Sequence, residues 1–366
     1  MKKINYLFGL LIICFAVGCG RTDTDHPSKY EQAIARSKKL LDSIQVERRV
    51  PGLDIAVSID GSVVWSEGFG YADLEHQVPV MPGVTKFRIG SVSKSLTATA
   101  IGKLVDEGKM DLKKEIQTYV PYFPEKKYNP TIAQVAGHLG GIRHYQQYEE
   151  YYQMNHFKSL EASLSIFSED TLLFEPGSRY RYSSFGYNLL GAAIEGASGL
   201  DYLTYMEKEV FAPLEMSNTC ADRNSEVILN RTSFYEVDTL GKLINAPYVN
   251  NSYKWAGGGF ISTTTDLIKF GQSYLEQRIL SEETIREFTT AQQLTDGTRT
   301  KYGLGWYVEP TGYSHPGGSV GGIAEFKIYE EEKLVIVLLS NLSWMNYEKE
   351  VELIAEDFIA ADIKME

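Results

Sequence analysis

The chain has 366 residues, 43% of them hydrophobic and 23% charged, a balance that fits a soluble globular protein with a sizeable core. Its formal net charge of −12 leaves no basic stripe for phosphates and argues against nucleic acid as a partner. Of the three cysteines, Cys14 and Cys19 fall in the first twenty residues, so Cys220 stands alone and no intrachain disulfide is expected.

In chain order, Lys2 and Lys3 precede an apolar run from Tyr6 to Val17, the pattern of a secretory signal over 1–18. The run ends Ala16-Val17-Gly18-Cys19, which resembles a bacterial lipobox. That implies a lipid on Cys19, a polar tether over 19–29, and a periplasmic or outer-surface location. The N-terminal anchor is the only membrane contact expected, since no later run reaches 18 apolar residues.

Periodicity predicts a helix over 30–49, with Ile34, Leu40, Leu41 and Ile44 on one face and Pro51-Gly52 as its stop. Strands over 53–59 and 63–71 flank the turn signal Asp60-Gly61. Helices follow over 91–107, 189–197, 202–210, 266–276 and 282–289, the fourth opened by a cap at Thr263. Strands over 303–309, 324–329 and 334–340 and a helix over 347–361 close the chain. Strands at both ends and helices between them predict an α+β fold. One antiparallel sheet, from 30–90 and 300–366, is flanked by the terminal helices, and a mostly helical domain over 91–299 is inserted beside it. The cleft between the two is the expected site.

Three motifs carry chemistry. Ser91-Val92-Ser93-Lys94 opens a helix, and its spacing puts Ser91 and Lys94 one turn apart on one face. A serine hydroxyl is a weak nucleophile until a base takes its proton, and a desolvated lysine can be neutral enough to do so. Tyr182-Ser183-Ser184 enters a helix, where a tyrosine hydroxyl near cations can shuttle a proton. His315-Pro316-Gly317-Gly318 leads into a strand, where glycines admit a substrate backbone and can present an N–H to an oxyanion.

Taken in order, these motifs resemble the serine beta-lactamase and penicillin-binding-protein superfamily, whose Ser-x-x-Lys signature carries the acylated serine. The stretch Phe87 to Thr97, the block His138-Leu139-Gly140-Gly141-Ile142-Arg143-His144-Tyr145, Tyr182 to Tyr187, and Gly257-Gly258-Gly259-Phe260-Ile261-Ser262-Thr263 are similar to class C enzymes and to the mitochondrial beta-lactamase-like serine proteases. The resemblance implies an acyl-enzyme on Ser91, proton transfer shared by Lys94 and Tyr182, and an oxyanion hole from the N–H groups of Ser91 and Gly318. It further implies substrate contacts from Ser184, His315 and Gly317. No cofactor is expected, nor a metal, since none of the six histidines forms a helical His-x-x-x-His pair.

Two departures stand out. The family's Tyr-x-Asn motif ends here in Ser184, whose hydroxyl lacks the reach of an amide. Its Lys-Thr-Gly motif is His315-Pro316-Gly317, with a histidine only partly charged near neutrality. Both suit an esterase or peptidase acting on a small-molecule or peptide substrate, of D-amino-acid or cell-wall type, better than a beta-lactamase. A true beta-lactamase or DD-carboxypeptidase and a non-catalytic ligand sensor are the alternatives. Gly317-Gly318-Ser319-Val320-Gly321 also fits a nucleophile elbow, but strands follow it and no histidine lies beyond His315. His138 and His144, either side of a glycine turn, read as structural hydrogen-bonding groups. The tyrosines 145, 148, 151 and 152 read as packing or as the wall of a substrate groove.

Overall fold

Asp60 and Gly61 both take positive φ, +47° and +76°, the turn whose twist matches that of paired strands. It joins Gly52–Ile59 to Ser62–Asp73 as an antiparallel hairpin. The computed structural model describes residues 29–363; the signal and lipobox reading, Cys14 and Cys19 with it, lies outside them. Among the described residues no helix is long and apolar enough to cross a membrane.

On its other edge Gly52–Ile59 pairs with Leu334–Ser340, Leu53 opposite Ser340 and Ile59 opposite Leu334, so strands from the two ends of the chain meet at the centre of one sheet. The sheet runs Val78–Pro79, Ser62–Asp73, Gly52–Ile59, Leu334–Ser340, Gly322–Tyr329, Gly312–Ser314, Tyr307–Glu309, and the short strand Gly317–Ser319 pairs separately with Gly322–Tyr329. The alternation of side chains splits this sheet into two faces. Leu53, Ile55, Val57, Leu334, Ile336 and Leu338 pack under the terminal helices Glu31–Glu47 and Glu348–Ile363, with Ala33, Leu41, Ile44, Val351, Ile354 and Phe358. Ala56, Val335, Val337, Leu339, Phe326 and Ile328 face the inserted helices. Both faces are covered, so every residue of Gly52–Ile59 is buried.

The inserted part is built around the helices Ser93–Asp106, Ser184–Ser198, Thr264–Leu275 and Glu282–Phe288. Ser93–Asp106 is buried almost all round, and its hydroxyls find carbonyl acceptors: Thr97 Oγ1 donates to the Ser93 carbonyl one turn back at 2.9 Å, and Ser95 Oγ to that of the distant Gly305 at 2.7 Å. A three-stranded sheet of Phe87–Arg88, Phe260–Ser262 and Cys220–Ala221 was too short for periodicity to reveal. Two predicted elements change. The expected strand over 303–309 begins only at Tyr307, because Gly303 N donates to the Trp306 carbonyl in a turn with Gly305 at φ +90°. The helix expected over 202–210 is α only over Tyr202–Tyr205 and widens into a π turn over Met206–Phe211.

Candidate active site

Ser91 lies in a 3-10 turn, Gly90–Val92, that feeds the helix Ser93–Asp106. It is half-buried, while residues 92–100 behind it are buried. Gly90 has φ +49°, and a Cβ there would lie 2.5 Å from the Gly318 carbonyl oxygen. A Cβ on Gly317 would lie 2.0 Å from the Ile89 carbonyl oxygen and 3.0 Å from Ser91 N. Only glycines permit this approach. The strand Gly317–Ser319 therefore lies along the Ser91 turn, with the exposed Gly318 between two buried neighbours. The backbone N–H groups of Ser91 and Gly318 thus come from adjoining segments.

Lys94 is wholly buried. Its Nζ reaches Ser91 Oγ at 3.0 Å, Ser184 Oγ at 3.1 Å and the Gly257 carbonyl at 2.5 Å. Among the described residues no carboxylate pairs with it. Burial, helped by the like charge of Lys254, holds its pKa well below the usual lysine value. The Tyr182 ring lies 4.9 Å from Nζ. Burial pushes that phenol well above its ordinary value, with the nearby Ser91 hydroxyl a smaller opposing effect. Lysine is thereby favoured as the amine and tyrosine as the phenol.

Ser184 begins the helix Ser184–Ser198, and its hydroxyl is buried behind Lys94. The cap is Ser183, whose Oγ accepts from Gly186 N at 3.0 Å and donates to the Arg143 carbonyl at 2.7 Å. His138 Nδ1 accepts from Ser183 N and His144 Nδ1 from Ser184 N, each at 3.2 Å. Burial, reinforced by the Lys94 charge, lowers both imidazoles, His144 to about 4, which suits neutral acceptors. The two histidines hold the backbone of the two serines that follow Tyr182 in its motif.

His315 departs from the picture of a partly charged group facing substrate. It is 1% exposed, its Nε2 meets the Tyr302 hydroxyl at 2.8 Å and its Nδ1 meets the Pro316 carbonyl at 2.8 Å. Burial and the Lys94 charge bring it down to about 3, so the ring is neutral with both nitrogens engaged. Motif reading also assigned nothing to Gly257 as the acceptor for Lys94. Its glycine block was visible in the chain, but a carbonyl direction is not.

The beta-lactamase family profile matches residues 32–356. The chain belongs to the beta-lactamase family of serine hydrolases. It is 38% identical over 323 residues to the mitochondrial serine beta-lactamase-like protein LACTB of Bos taurus, a match covering 68% of this chain and 58% of that protein. The chain therefore spans less than two thirds of this relative's length. In three dimensions it is similar to the octameric penicillin-binding protein homologue from Pyrococcus abyssi, with a TM-score of 0.78 at 27% identity over 89% of this chain and 77% of the other. The D-amino acid amidase from Ochrobactrum anthropi shares the fold, with a TM-score of 0.75 at 22% identity over 90% and 99% of the two chains.

Proposed function

We propose that this member of the family hydrolyses esters or peptides through an acyl-enzyme on Ser91. The observation that carries the reading is a wholly buried Lys94, with no carboxylate partner among the described residues, 3.0 Å from Ser91 Oγ. A neutral amine has two N–H donors and one lone pair. Gly257 and Ser184 take the two donors, and the lone pair is left for the Ser91 hydroxyl proton.

In this mechanism Ser91 Oγ attacks the substrate carbonyl as Lys94 takes its proton. The N–H groups of Ser91 and Gly318 stabilise the oxyanion, a donor of this kind contributing about 3 kcal/mol. Tyr182, held as a phenol, relays the proton from Lys94 to the departing alcohol or amine. Water then releases the acid from Ser91 by the reverse proton path. The neutral His315 favours ester or peptide substrates, including D-amino-acid or cell-wall peptides, over a beta-lactam gripped at this position.

The test is to incubate the purified chain with a serine-reactive phosphonylating probe and measure intact mass. One adduct on the wild type and none on Ser91→Ala is expected, and equal labelling of the two would sink the assignment. Multiple turnovers on nitrophenyl esters, short D-amino-acid peptides and a chromogenic cephalosporin then separate a hydrolase from a sensor that keeps its adduct. The lipobox-like Ala16-Val17-Gly18-Cys19 supports export and lipid attachment at Cys19. Incorporation of a labelled fatty acid that disappears in Cys19→Ser is the expected result.

A further inference from the structure

Five cationic side chains are buried among the described residues: Arg88, Lys94, Arg143, Lys254 and Lys327. Three have carboxylate partners: Arg88 with Asp222 at 2.7 Å, Arg143 with Glu150 at 2.8 Å, and Lys327 with Glu352 at 3.2 Å. Lys94 belongs to Ser91. Lys254, 2% exposed, has neither a carboxylate nor a hydrogen-bond acceptor for its ammonium among the described residues. Leaving a buried charge unpaired is costly, so such a group is held ready to give up its proton or to take a counter-ion from outside the fold.

The nearby carboxylate is already committed. Asp222 accepts from Arg88 Nε through Oδ2, from Asn251 Nδ2 through the same oxygen at 2.8 Å, and from Arg231 Nη1 through Oδ1 at 3.1 Å. One carboxylate thus serves two arginines, and Lys254 is the surplus cation. Its ammonium lies 5.4 Å from the Tyr151 ring centroid and 5.5 Å from that of Tyr253. Its carbonyl accepts from Gly257 N at 3.1 Å and Gly258 N at 2.9 Å, in the turn whose Gly257 carbonyl holds Lys94. Its charge is felt at Lys94 and at His144. Tyr151 in turn lies tilted against the exposed Trp344, with ring centroids 5.3 Å apart, so aromatic contacts run from the surface to this ammonium.

We infer that Lys254 is a specificity-determining residue of the Ser91 site, recognising a carboxylate on the substrate distant from the scissile bond. The inference rests on the acyl-enzyme reading above. It supplies the anion recognition that a neutral, fully hydrogen-bonded His315 cannot.

Protonation gives a check that needs no variant. Burial and the Arg88 guanidinium lower the Lys254 ammonium to about 7, with Asp222 pulling the other way. The groups facing it are Arg88, Asp222, Lys94, His144, Tyr151 and Tyr253. Of these, Asp222 and His144 titrate below neutrality and the two tyrosines far above it. Lys94 acts on every substrate alike.

The experiment uses mono-p-nitrophenyl esters of straight-chain diacids of increasing length, each beside its methyl-capped neutral twin. Ser91 takes the acyl group, nitrophenolate leaves and is read by absorbance, and water releases the diacid. The expected result is an acid-over-methyl-ester ratio in kcat/KM of about ten- to hundredfold at one chain length, the range of a hydrogen bond to a charged group. Lys254→Met brings that ratio to about one and Lys254→Arg keeps most of it. In the wild type the ratio falls as pH rises through about 7, because the ammonium loses its proton while the ester's own carboxylate stays ionised. This profile remains informative if the variants fold poorly. Equal loss on both esters in Lys254→Met, with the ratio kept, would show that Lys254 acts only through Lys94 and would overturn the inference. So would a wild type without preference at any length. Nitrophenolate release that persists in Ser91→Ala would instead remove the acyl-enzyme reading itself, so the two failures are told apart.

Discussion

The two faces of the central sheet are built from the same strands but solve different problems. Under the terminal helices the packing is apolar: Trp65 stacks on Phe358 at 5.9 Å, Tyr30 lies 5.6 Å from the same ring, and Leu53, Ile55, Leu334, Ile336, Leu338 and Ile354 fill the space between. Under the inserted helices the packing is also dense, but it encloses Arg88, Lys94, Asp222, Lys254, His138 and His315. The first face gains stability from hydrophobic burial with little polar desolvation to offset it. The second carries buried polar groups whose cost is met by specific partners, and two lysines that have no carboxylate among the described residues. The proposed site lies where the sheet's covering is polar, and the contrast can be probed from both sides.

The largest effect is expected at Ser91. Ser91→Ala lowers kcat/KM by about 10⁴-fold or more, the scale of losing a catalytic nucleophile, while the melting temperature stays near that of the wild type. Steady-state kinetics beside calorimetry checks both halves. Lys94→Met follows, with a loss of about 10²- to 10⁴-fold as the general base is removed. This substitution replaces a buried, desolvated amine by an apolar side chain of similar length, so the melting temperature changes little; a fall comparable to a core truncation would mean that Lys94 is a structural group like those of the opposite face.

Phe358→Ala tests that opposite face. Its ring is fully buried, and truncation costs about 3–5 kcal/mol by chemical denaturation, with activity per folded molecule unchanged. Loss of specific activity would break the separation of the two faces. Tyr182→Phe has the smallest catalytic effect, about a hundredfold, concentrated on substrates with poor leaving groups that need a proton. A nitrophenyl ester, whose leaving group needs none, is expected to suffer least.

The pH profile sharpens the same contrast. A base must be deprotonated to act, and Lys94 is held well below its usual value, so activity rises with pH to a plateau reached far below 10.5. Tyr182 is raised, so the phenol keeps its proton across that plateau. For stability the sign is set by Asp222, which the Arg88 guanidinium holds below the ordinary carboxylate value against its own burial. Its stabilising contribution is present above the unfolded carboxyl value and is lost as pH falls through the lower folded one. Acid denaturation of the inserted side is expected to shift upward in pH in Asp222→Asn.

Much of the fold was legible because strands of period two and helices of period 3.6 bury one face each. The hairpin at Asp60-Gly61 and the strand Leu334–Ser340 follow from local chemistry. The short strands Phe87–Arg88 and Phe260–Ser262 did not, since two or three residues carry no period. In the site, Ser91 and Lys94 were legible because one turn separates them on a helix. The burial of His315 was not, because it depends on Tyr302 meeting it across the fold. Lys254 carried no motif at all, and its significance comes from what it lacks.

By itself, then, the chain determined the order of its motifs, the one-turn spacing of Ser91 and Lys94, and the glycines that let Gly317–Ser319 approach the serine. Local chemistry suffices for these. Tertiary structure alone decided the charge states. Lys94 is held by groups 90 and 163 residues away in Ser184 and Gly257, and its pKa is set by desolvation that exists only once those segments close around it. A pKa belongs to an environment, and an environment of this kind is assembled by folding.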